Sequence, residues 1–583
     1  MLSAGCLYRS RTTNFLLGAA FAALSLGLQI LAQSPAQPPV TPNQAAAQHQ
    51  PAKLPGDKAA ASQTNEAPTS ASKPASAGEQ AASTSRLKLS PIAPASPPTD
   101  LPTDRPVIGL ALGGGGAQAM TEIGVLQWFE EHQIPVDVIA GTSMGSIIAA
   151  LYSTGHTPKQ MEEIMTEDSI NSVFRITQAY SAQNFRRRED SRDIPNAVTI
   201  GLKHGASFRN SLLTDTGLNE VLDKEFLRYN DQTDFNNLPI PFRCKATDLN
   251  DAQSVTFARG SLQDAVRASA SIPGVFRPFK LDGHEYVDGA ILENLPTPEV
   301  KAMKADVVLA VSIKLQPVGK SDLNSILGVL QRAFAVGIEN DEQRDRKLAD
   351  VVIYPDVDGF TAADYLKTEQ LAERGYAAAE ADKAQLLKYS LNESQWQQYL
   401  QHRVARQQGP PGNVLRVKVQ APGKGVEAET ERLFAPLVNH PVDTHRVEKL
   451  LSELRSDGRY DADYAVGYDD KFPRRPILLI TVNDKQTGPP FLNLGFNVAA
   501  QSGGVTRATV NTILLDQDVG GYGSELRTKV DFGFFTRVES EYYRKLGLHG
   551  LFVAPRAGIV RSPFYIYSGS TRLSERLAQF YGG

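Results

Sequence analysis

The sequence predicts an α/β domain with a mainly parallel sheet, followed by a small α+β domain and a run of antiparallel strands. Three patterns carry this prediction. Between residues 106 and 354, short runs rich in Val and Ile alternate with longer amphipathic segments, which is typical of a parallel sheet covered by helices. After the turn at residues 409–412, the order becomes strand, helix, helix, strand, strand. After Pro490, segments of about ten alternating polar and apolar residues follow.

Length and composition fit several globular units. A chain of 583 residues is too long for one ordinary domain. Its hydrophobic content of 41% and charged content of 21% are near globular averages, and its net charge of -4 gives no reason to expect a nucleic-acid partner. The cysteines are Cys6, in the N-terminal segment, and Cys244. Once that segment is removed, no intramolecular disulfide can form.

Residues 1–32 are predicted to be a signal peptide. Arg9 and Arg11 precede an uncharged stretch, Asn14–Ala32, that is rich in Leu and Ala, so cleavage is expected near Ala32–Gln33. A retained membrane anchor is the alternative, because the stretch is close to the roughly 20 residues that span a bilayer. Residues 33–105 are predicted to be a disordered linker, since Pro, Ala, Ser and Gln dominate them and bury little apolar surface.

An α/β domain is predicted over residues 106–405. The predicted strands are Pro106–Leu112, Val136–Ala140, Pro241–Thr247, Ser254–Ala258, Asp306–Ile313 and Val351–Tyr354. The main predicted helices are Ala117–His132, Met144–Ser153, Ser261–Ser269 and Asp364–Leu387. The polar and basic segment Asn171–Asn210 has little periodicity, and it is predicted to be a loop or lid over the sheet edge.

Four glycines follow the first predicted strand. Gly113, Gly114, Gly115 and Gly116 open the helix that begins at Ala117. An anionic tetrahedral intermediate needs preorganised backbone N–H donors, and a glycine run at a helix N-terminus supplies them. A dinucleotide-binding loop is the alternative, but the spaced Gly-x-Gly-x-x-Gly pattern and its downstream acidic residue are missing. The four glycines are therefore candidate oxyanion-hole donors.

A serine follows the second predicted strand, in the Gly-x-Ser-x-Gly pattern of residues 141–145. In that pattern the serine lies on a sharp strand-to-helix turn, and here Gly141 and Gly145 leave room for close backbone approach. A serine that only caps a helix is the alternative. The glycine run nearby makes Ser143 a candidate nucleophile.

A nucleophilic serine needs a group that accepts its proton. Histidine is the usual base, but the histidines of the domain lie in no recognisable motif: His132, His156, His204 and His284. Asp288 is the better candidate, in the turn Asp288-Gly289-Ala290 that follows a short predicted strand. An ordinary Asp-Gly turn is the alternative.

The glycine run, the serine elbow and the Asp-Gly-Ala turn, in this order, resemble the patatin-like phospholipase family. A fourth stretch, Ala268–Phe276, resembles the family's Ser/Ala-rich segment that ends in Pro and Phe. The resemblance covers about residues 106–354 and implies a three-layer sandwich with a mainly parallel sheet. It implies a Ser143–Asp288 dyad with the glycine loop holding the oxyanion and Gly289 supporting the turn. It implies no metal and no cofactor.

The implied activity is hydrolysis of phospholipid or lysophospholipid esters, by a phospholipase A or a lysophospholipase. One position departs from the family's pattern, in which the glycine loop continues with a basic residue and a glycine. This chain has Gln118 and Ala119 there. Because Gln118 carries no charge, electrostatic stabilisation is expected to be weakened or retuned. The alternative is a catalytically weak or inactive protein that binds lipid or assists membrane assembly.

A small domain is predicted over residues 412–485. Its predicted elements are a strand at Val414–Val419, helices at Glu427–Leu437 and Thr444–Asp457, and strands at Ala462–Tyr468 and Pro476–Val482. This order, together with the turn Gly458-Arg459-Tyr460, resembles a POTRA module.

Residues 490–583 resemble the start of an outer-membrane surface-antigen barrel. The predicted strands are Phe491–Ala499, Arg507–Leu515, Ser524–Phe534, Tyr542–Phe552 and Gly558–Tyr567. A soluble antiparallel sheet is the alternative. Family barrels have about sixteen strands, whereas these residues suffice for about five or six. The chain is therefore expected to be incomplete at its C-terminus, and a degenerate barrel is the alternative.

Signal peptide, patatin domain, POTRA module and barrel, in this order, resemble the patatin-type autotransporters of Gram-negative bacteria. The resemblance implies export to the outer membrane, with the hydrolase at the cell surface or in the periplasm. The implied partners are a lipid substrate and the membrane, and the barrel region would be the place for a homo-oligomer.

Overall fold

The computed structural model describes residues 96–583 except residues 166, 176–177, 196, 208–210, 212, 230–232, 315–325, 470, 501–505, 547–550 and 569–570. The described residues belong to one compact unit, residues 77–583. The predicted signal peptide and most of the predicted linker lie outside them. Residues 96–105 of that linker lie against the α/β domain, where Arg105 donates to both carboxylate oxygens of Asp137 at 2.7 and 2.6 Å.

The α/β domain contains short strands and helices that alternate along most of its length. Its strands are β1 (Ile108–Leu112), β2 (Val138–Thr142), β3 (Val198–Gly201), β4 (Thr233–Asp234), β5 (Phe242–Asp248), β6 (Gln253–Phe257), β7 (Arg259–Gly260), β8 (Phe279–Leu281), β9 (His284–Asp288), β10 (Val307–Val311) and β11 (Val351–Ile353). Its helices are α1 (Thr121–Glu131), α2 (Met144–Ser153), α3 (Pro158–Ile164), α4 (Glu167–Val173), α5 (Phe185–Asp193), α6 (Thr216–Phe226), α7 (Leu262–Ser269), α8 (Thr297–Ala302), α9 (Ile326–Asp345), α10 (Thr368–Ala381), α11 (Lys383–Leu386) and α12 (Glu393–Arg406). None of the helices in the described part of the chain combines the length and the apolar composition that a membrane-spanning helix needs.

The main sheet has the strand order β11-β10-β1-β2-β5-β9-β8, with β6 also paired to β5. The strands from β11 to β5 are parallel to their neighbours, as the sequence predicts. The strands β9, β8 and β6 run antiparallel to theirs. The sheet is therefore mixed, with a parallel centre and one antiparallel edge.

Alternate residues of β1 face two different cores. Ile108, Leu110 and Leu112 are buried in a large core that also contains residues of α1, α2 and α10. Ala111 is buried in a smaller core that contains Val300 of α8. Side chains alternate across a strand, so helices cover both faces of the sheet. The predicted three-layer arrangement is confirmed for this domain.

The small domain follows the predicted order of elements. It consists of β12 (Arg416–Gln420), α13 (Lys424–Phe434), α14 (Thr444–Arg455), β13 (Tyr460–Asp469) and β14 (Phe472–Asp484). The strand order is β12-β14-β13, in which β12 runs parallel and β13 antiparallel to β14. Both helices bury residues in the same core, among them Phe434 and Leu451.

An antiparallel sheet forms the C-terminal part of the chain. Its strands are β15 (Phe491–Ala500), β16 (Thr506–Gln517), β17 (Ser524–Gly533), β18 (Thr536–Leu546), β19 (Leu551–Val553), β20 (Arg556–Ser568) and β21 (Thr571–Gly582). The predicted strand Tyr542–Phe552 is wrong, because β18 begins at Thr536. Charged residues at alternate positions of β18, Glu539 and Glu541, are buried, and they hide the apolar signal of a strand. The strand β21 was not predicted.

The predicted loop over residues 171–210 is also wrong, because it contains α5 and β3. The strand β3 pairs with β15, with Gly201 opposite Phe491 and Val198 opposite Leu494. In α5, Arg186 donates to Glu525 of β17 at 3.0 Å and lies 2.6 Å from Glu541. Local periodicity cannot reveal a segment whose partners lie so far along the chain.

The C-terminal sheet buries polar residues on one face and exposes apolar residues on the other. The buried polar side chains include Glu525, Arg527, Asp531, Glu539 and Glu541. On the opposite face, Phe496 pairs across the strands with Val510, which pairs with Phe532. Phe496 is 66% exposed and Phe532 is 49% exposed. This is the reverse of the usual pattern for a soluble sheet.

Candidate active site

Ser143 lies on the turn between β2 and α2, in a conformation that few serines adopt. Its backbone has φ 55° and ψ -126°, in the left-handed region that disfavours side chains other than glycine. A Cβ atom on Gly141 would lie 2.4 Å from the carbonyl oxygen of Gly145, and one on Gly145 would lie 2.5 Å from that of Gly113. The two glycines of the pattern are therefore required by close backbone contact.

The Ser143 hydroxyl donates a hydrogen bond of 2.5 Å to Oδ2 of Asp288. Asp288 ends β9, and its other carboxylate oxygen accepts the backbone N–H of Ala290 at 2.9 Å. Gly289 passes so close to β5 that its Cβ would lie 2.6 Å from the Lys245 carbonyl oxygen. The structure thus brings together two residues that are 145 positions apart.

Burial controls the protonation of Asp288, which is only 4% exposed. Burial raises the pKa of Asp288 to about 6, although the hydrogen bonds from Ser143 and from the Ala290 N–H act in the opposite direction. A carboxyl group with such a pKa is ionised at neutral pH and still basic enough to take a proton.

The glycine loop lies directly against the serine. A Cβ on Gly114 would lie 2.8 Å from the Cβ of Ser143. The N–H groups of Gly113 and Gly114 donate within the fold, to Val311 O at 3.3 Å and to Asn294 Oδ1 at 3.0 Å. The N–H groups of Gly115 and Gly116 have no acceptor among the described residues. Of the four predicted donors, these two are available to an oxyanion.

Gln118, which departs from the family's pattern, holds a neighbouring loop. Its Nε2 donates to the carbonyl oxygen of Phe360 at 2.8 Å. The N–H of Ala117 donates to Ala362 O at 2.9 Å. The uncharged side chain thus fastens residues 360–362 onto the glycine loop, a role that the sequence did not suggest.

The histidines of the domain lie in other surroundings. Nδ1 of His132 is 2.9 Å from Trp128 O, Nε2 of His156 is 3.2 Å from Glu225, and His204 is exposed. His284 Nδ1 is 2.7 Å from Asp248 Oδ2. These contacts leave Asp288 as the basic group at Ser143.

The ligand atoms of Asp248, Asp251 and His284 lie within 4.8 Å of one another, a spacing that is compatible with a metal site. Asp248 Oδ1 already accepts the N–H groups of Asn250 and Asp251, at 2.8 and 3.3 Å. This is the geometry of an Asx turn, and the turn accounts for the cluster.

A pocket with about 660 Å³ of empty space, part of it open to solvent, lies at Ser143 and is lined mostly by apolar side chains. The lining residues include Met144, Ile147, Ile170, Val173, Phe174, Leu218, Leu222, Ile272, Phe276 and Tyr365. Many of them come from α4, α6 and the segments beside these helices, and neither helix is among those predicted from the sequence. The spacing of Leu218, Val221 and Leu222 on α6 was a helical signal that could have identified this wall.

Comparisons with known proteins match the part of the chain that holds this site. Residues 110–301 match a family model described as patatin-like phospholipase. An uncharacterized NTE family protein of Mycobacterium tuberculosis is 31% identical over 209 residues, which are 36% of this chain and 49% of that protein. The lysophospholipase nte1 of Aspergillus niger is 24% identical over 297 residues, which are 46% of this chain and 18% of that protein.

The chain thus spans about half the length of the mycobacterial relative and less of the fungal one. Among solved structures, VipD from Legionella pneumophila covers 60% of this chain and 91% of its own, with 11% identity and a TM-score of 0.21. That score is too low for a structural comparison. The family match spans the glycine loop, Ser143 and Asp288. Residues 110–301 are therefore similar to the patatin-like phospholipase family.

Proposed function

We propose that this chain is a lipolytic ester hydrolase, a phospholipase A or a lysophospholipase, with Ser143 as nucleophile and Asp288 as its base. Ser143 Oγ attacks the ester carbonyl carbon while its proton passes to Asp288. The negative charge that forms on the carbonyl oxygen is stabilised by the N–H groups of Gly115 and Gly116. Asp288 then gives the proton to the leaving alcohol, and an acyl group remains on Ser143.

In the second half of the reaction, Asp288 takes a proton from water, which attacks the acyl group. The second tetrahedral intermediate uses the same N–H donors, and its collapse returns the proton to Ser143 and releases a fatty acid. The acyl chain lies in the apolar cavity beside Ser143. No step of this scheme needs a metal or a cofactor.

The observation that carries the proposal is the 2.5 Å hydrogen bond between Ser143 and Asp288 at the wall of an apolar cavity. A serine that merely caps a helix needs neither a buried carboxylate nor a cavity. The family match and the lysophospholipase among the relatives support a lipid ester as substrate.

A fluorophosphonate probe and a phospholipid substrate test the proposal together. Ser143→Ala is expected to abolish labelling and to lower hydrolysis by about 10³-fold or more. Ser153→Ala is the matched control, since Ser153 ends the helix that follows Ser143 and its hydroxyl donates to Ala150 O. If Ser143→Ala hydrolysed phospholipid as fast as the wild type, the assignment would be wrong. Lipid binding without labelling would favour the non-catalytic alternative.

We further propose that the exported chain meets the outer membrane through its C-terminal sheet. Transmembrane β-strands present an apolar face to lipid and carry polar side chains on the other face. The C-terminal sheet has the same two faces. This pattern, following a POTRA-like small domain, supports the autotransporter architecture that the sequence resembles. The predicted signal peptide would direct export.

Environment-sensitive probes on single cysteines test the membrane proposal. The fluorescence emission of a probe at Phe532→Cys is expected to shift to the blue when vesicles of phosphatidylethanolamine and phosphatidylglycerol are added. A probe at Lys529→Cys, on the opposite face of β17, is the control and should shift little. Equal shifts at both positions would contradict the proposal. Edman sequencing of the mature chain from Gln33 would test export separately.

A further inference from the structure

We propose that Asn294 and Glu342 are positioning residues that orient the glycine loop for oxyanion binding. The proposal rests on the proposed hydrolase function and deepens it. Neither residue lines the cavity, and neither lies in the motifs that identify the family resemblance. Both are almost fully buried, with exposures of 3% and 2%.

The side-chain amide of Asn294 holds both backbone polar groups of one glycine. The N–H of Gly114 donates to Asn294 Oδ1 at 3.0 Å, and Asn294 Nδ2 donates to Gly114 O at 3.2 Å. A Cβ on Gly114 would lie 2.7 Å from Asn294 Oδ1, so the contact needs a glycine at this position. The Gly114 carbonyl therefore has a fixed direction.

This direction decides where the next N–H points. The Gly114 carbonyl and the Gly115 N–H belong to the same planar peptide, and in a trans peptide they point in opposite directions. Because Asn294 holds the carbonyl, the Gly115 N–H is directed away from Asn294. Gly115 carries one of the two N–H groups that remain available to an oxyanion.

Glu342 determines which way the Asn294 amide is turned. Asn294 Nδ2 also donates to Glu342 Oε1, and the second oxygen of Glu342 accepts from Ser312 Oγ at 2.7 Å and from Arg346 at 2.6 Å. An ionised carboxylate only accepts hydrogen bonds, so the NH₂ group of Asn294 must face it. The amide oxygen is then left for the Gly114 N–H.

The same short segment also carries the proposed base. Asp288 begins it and Asn294 ends it, while the carbonyl oxygen of Glu293 accepts from Thr142 Oγ1 at 3.2 Å, next to Ser143. One stretch of chain thus contacts the nucleophile, its preceding residue and the glycine loop. The base and the oxyanion donors are positioned relative to each other by this stretch.

Steady-state kinetics on a short-chain p-nitrophenyl ester, with the full chain, test the proposal. Asn294→Ala is expected to lower kcat by about 10²-fold with KM changed less than about twofold, because the lost interaction acts on the transition state. Glu342→Gln is expected to lower kcat less, since a carboxamide allows the Asn294 amide to turn. Asn511→Ala and Asp531→Asn are matched controls that break a similar pair, joined at 2.8 Å, in the C-terminal sheet. They should leave kcat unchanged.

Hydrogen exchange over residues 113–116 gives a readout that does not depend on activity. It is expected to be faster in Asn294→Ala and in Glu342→Gln and unchanged in the controls. Wild-type kcat and wild-type exchange in a folded Asn294→Ala would overturn the positioning role. If Asn294→Ala does not fold, the kcat and the hydrogen exchange of Glu342→Gln test the positioning role instead. An inactive wild type would contradict the proposed function only. The hydrogen exchange of residues 113–116 would still show whether Asn294 and Glu342 hold the glycine loop.

Discussion

At the scale of single residues, the protonation of Asp288 sets the lower pH limit of the proposed reaction. The carboxylate must be ionised to accept the Ser143 proton, and the pKa of Asp288 is raised to about 6. We expect kcat/KM for a soluble ester to fall tenfold per pH unit below about 6 and to be level above it, because kcat/KM reports groups of the free enzyme. A pH profile measured from 4.5 to 8.5 checks this. A profile without an inflection between pH 5 and 7 would contradict the assigned base.

Asp288→Asn is the companion variant for the pH profile. It keeps the size of the side chain but cannot take the proton, so any residual activity should no longer follow the profile of the wild type. Asp251→Asn, at an exposed aspartate of the β5–β6 turn, is the control and should retain the wild-type profile.

Glu122, in the first turn of α1, makes stability depend on pH in the opposite sense to a salt-bridged carboxylate. It is fully buried, and neither carboxylate oxygen has a hydrogen-bond partner among the described residues. Burial raises the pKa of Glu122 well above its ordinary 4.5, and the charge of Glu342 adds to this. The folded state therefore holds a proton that the unfolded state loses, so stability is lost as pH rises above about 4.5.

We expect Glu122→Gln to flatten this dependence. Between pH 5 and pH 8 the unfolding free energy of the variant should rise relative to that of the wild type, because only the wild type loses stability as the unfolded state releases the Glu122 proton. Urea unfolding at the two pH values measures the difference. Glu373→Gln, at an exposed position of α10, is the control. Parallel curves for Glu122→Gln and the wild type would rule out this role.

At the scale of secondary-structure elements, buried ion pairs hold α5 against the C-terminal sheet. Arg186 and Arg187 both contact Glu525, whose side chain is 8% exposed. Removing one partner of a buried pair leaves the other charges uncompensated. We expect Glu525→Gln to loosen α5 and to speed tryptic cleavage after Arg186–Arg188, as measured by mass spectrometry of timed digests.

Glu539→Gln is the control for the digest, because Glu539 lies on the neighbouring strand and accepts from Tyr581 instead of α5. Equal cleavage rates in wild type and Glu525→Gln would show that the ion pairs do not hold the helix.

The elements that the sequence predicts well are those whose signal is local. Apolar runs identify β1, β2 and β5 because both faces of these strands are buried. The elements α5 and β3 escape prediction because their partners lie in a different part of the chain. The same distinction holds at the site: Ser143, Asp288 and the glycines lie in short motifs, whereas Asn294 and Glu342 are recognisable only from contacts across the fold.

At the scale of the whole molecule, the pairing of β3 with β15 links the α/β domain to the C-terminal sheet. Leu202 N donates to Pro490 O, whereas Gly201 N donates to Ser207 O on the other side. In an antiparallel pair such N–H directions alternate, so the N–H of Ile200 faces β15 and that of Thr199 faces away. Ile200→Pro removes a bond between the two strands.

We expect Ile200→Pro in the full chain to speed hydrogen exchange at residues 491–494, which lie opposite β3. Ile200→Val is the matched control, because it keeps the backbone N–H that faces β15. Unchanged exchange at residues 491–494 in Ile200→Pro would show that the pairing contributes nothing to the order of β15.

The pairing of β3 with β15 also has a consequence for biosynthesis. The two strands are separated by roughly three hundred residues, so a ribosome that has just completed β3 has yet to make its partner. During this interval β3 presents an unpaired backbone edge, the kind of surface on which other chains associate. The edge of β3 therefore stays unpaired until β15 has been synthesised.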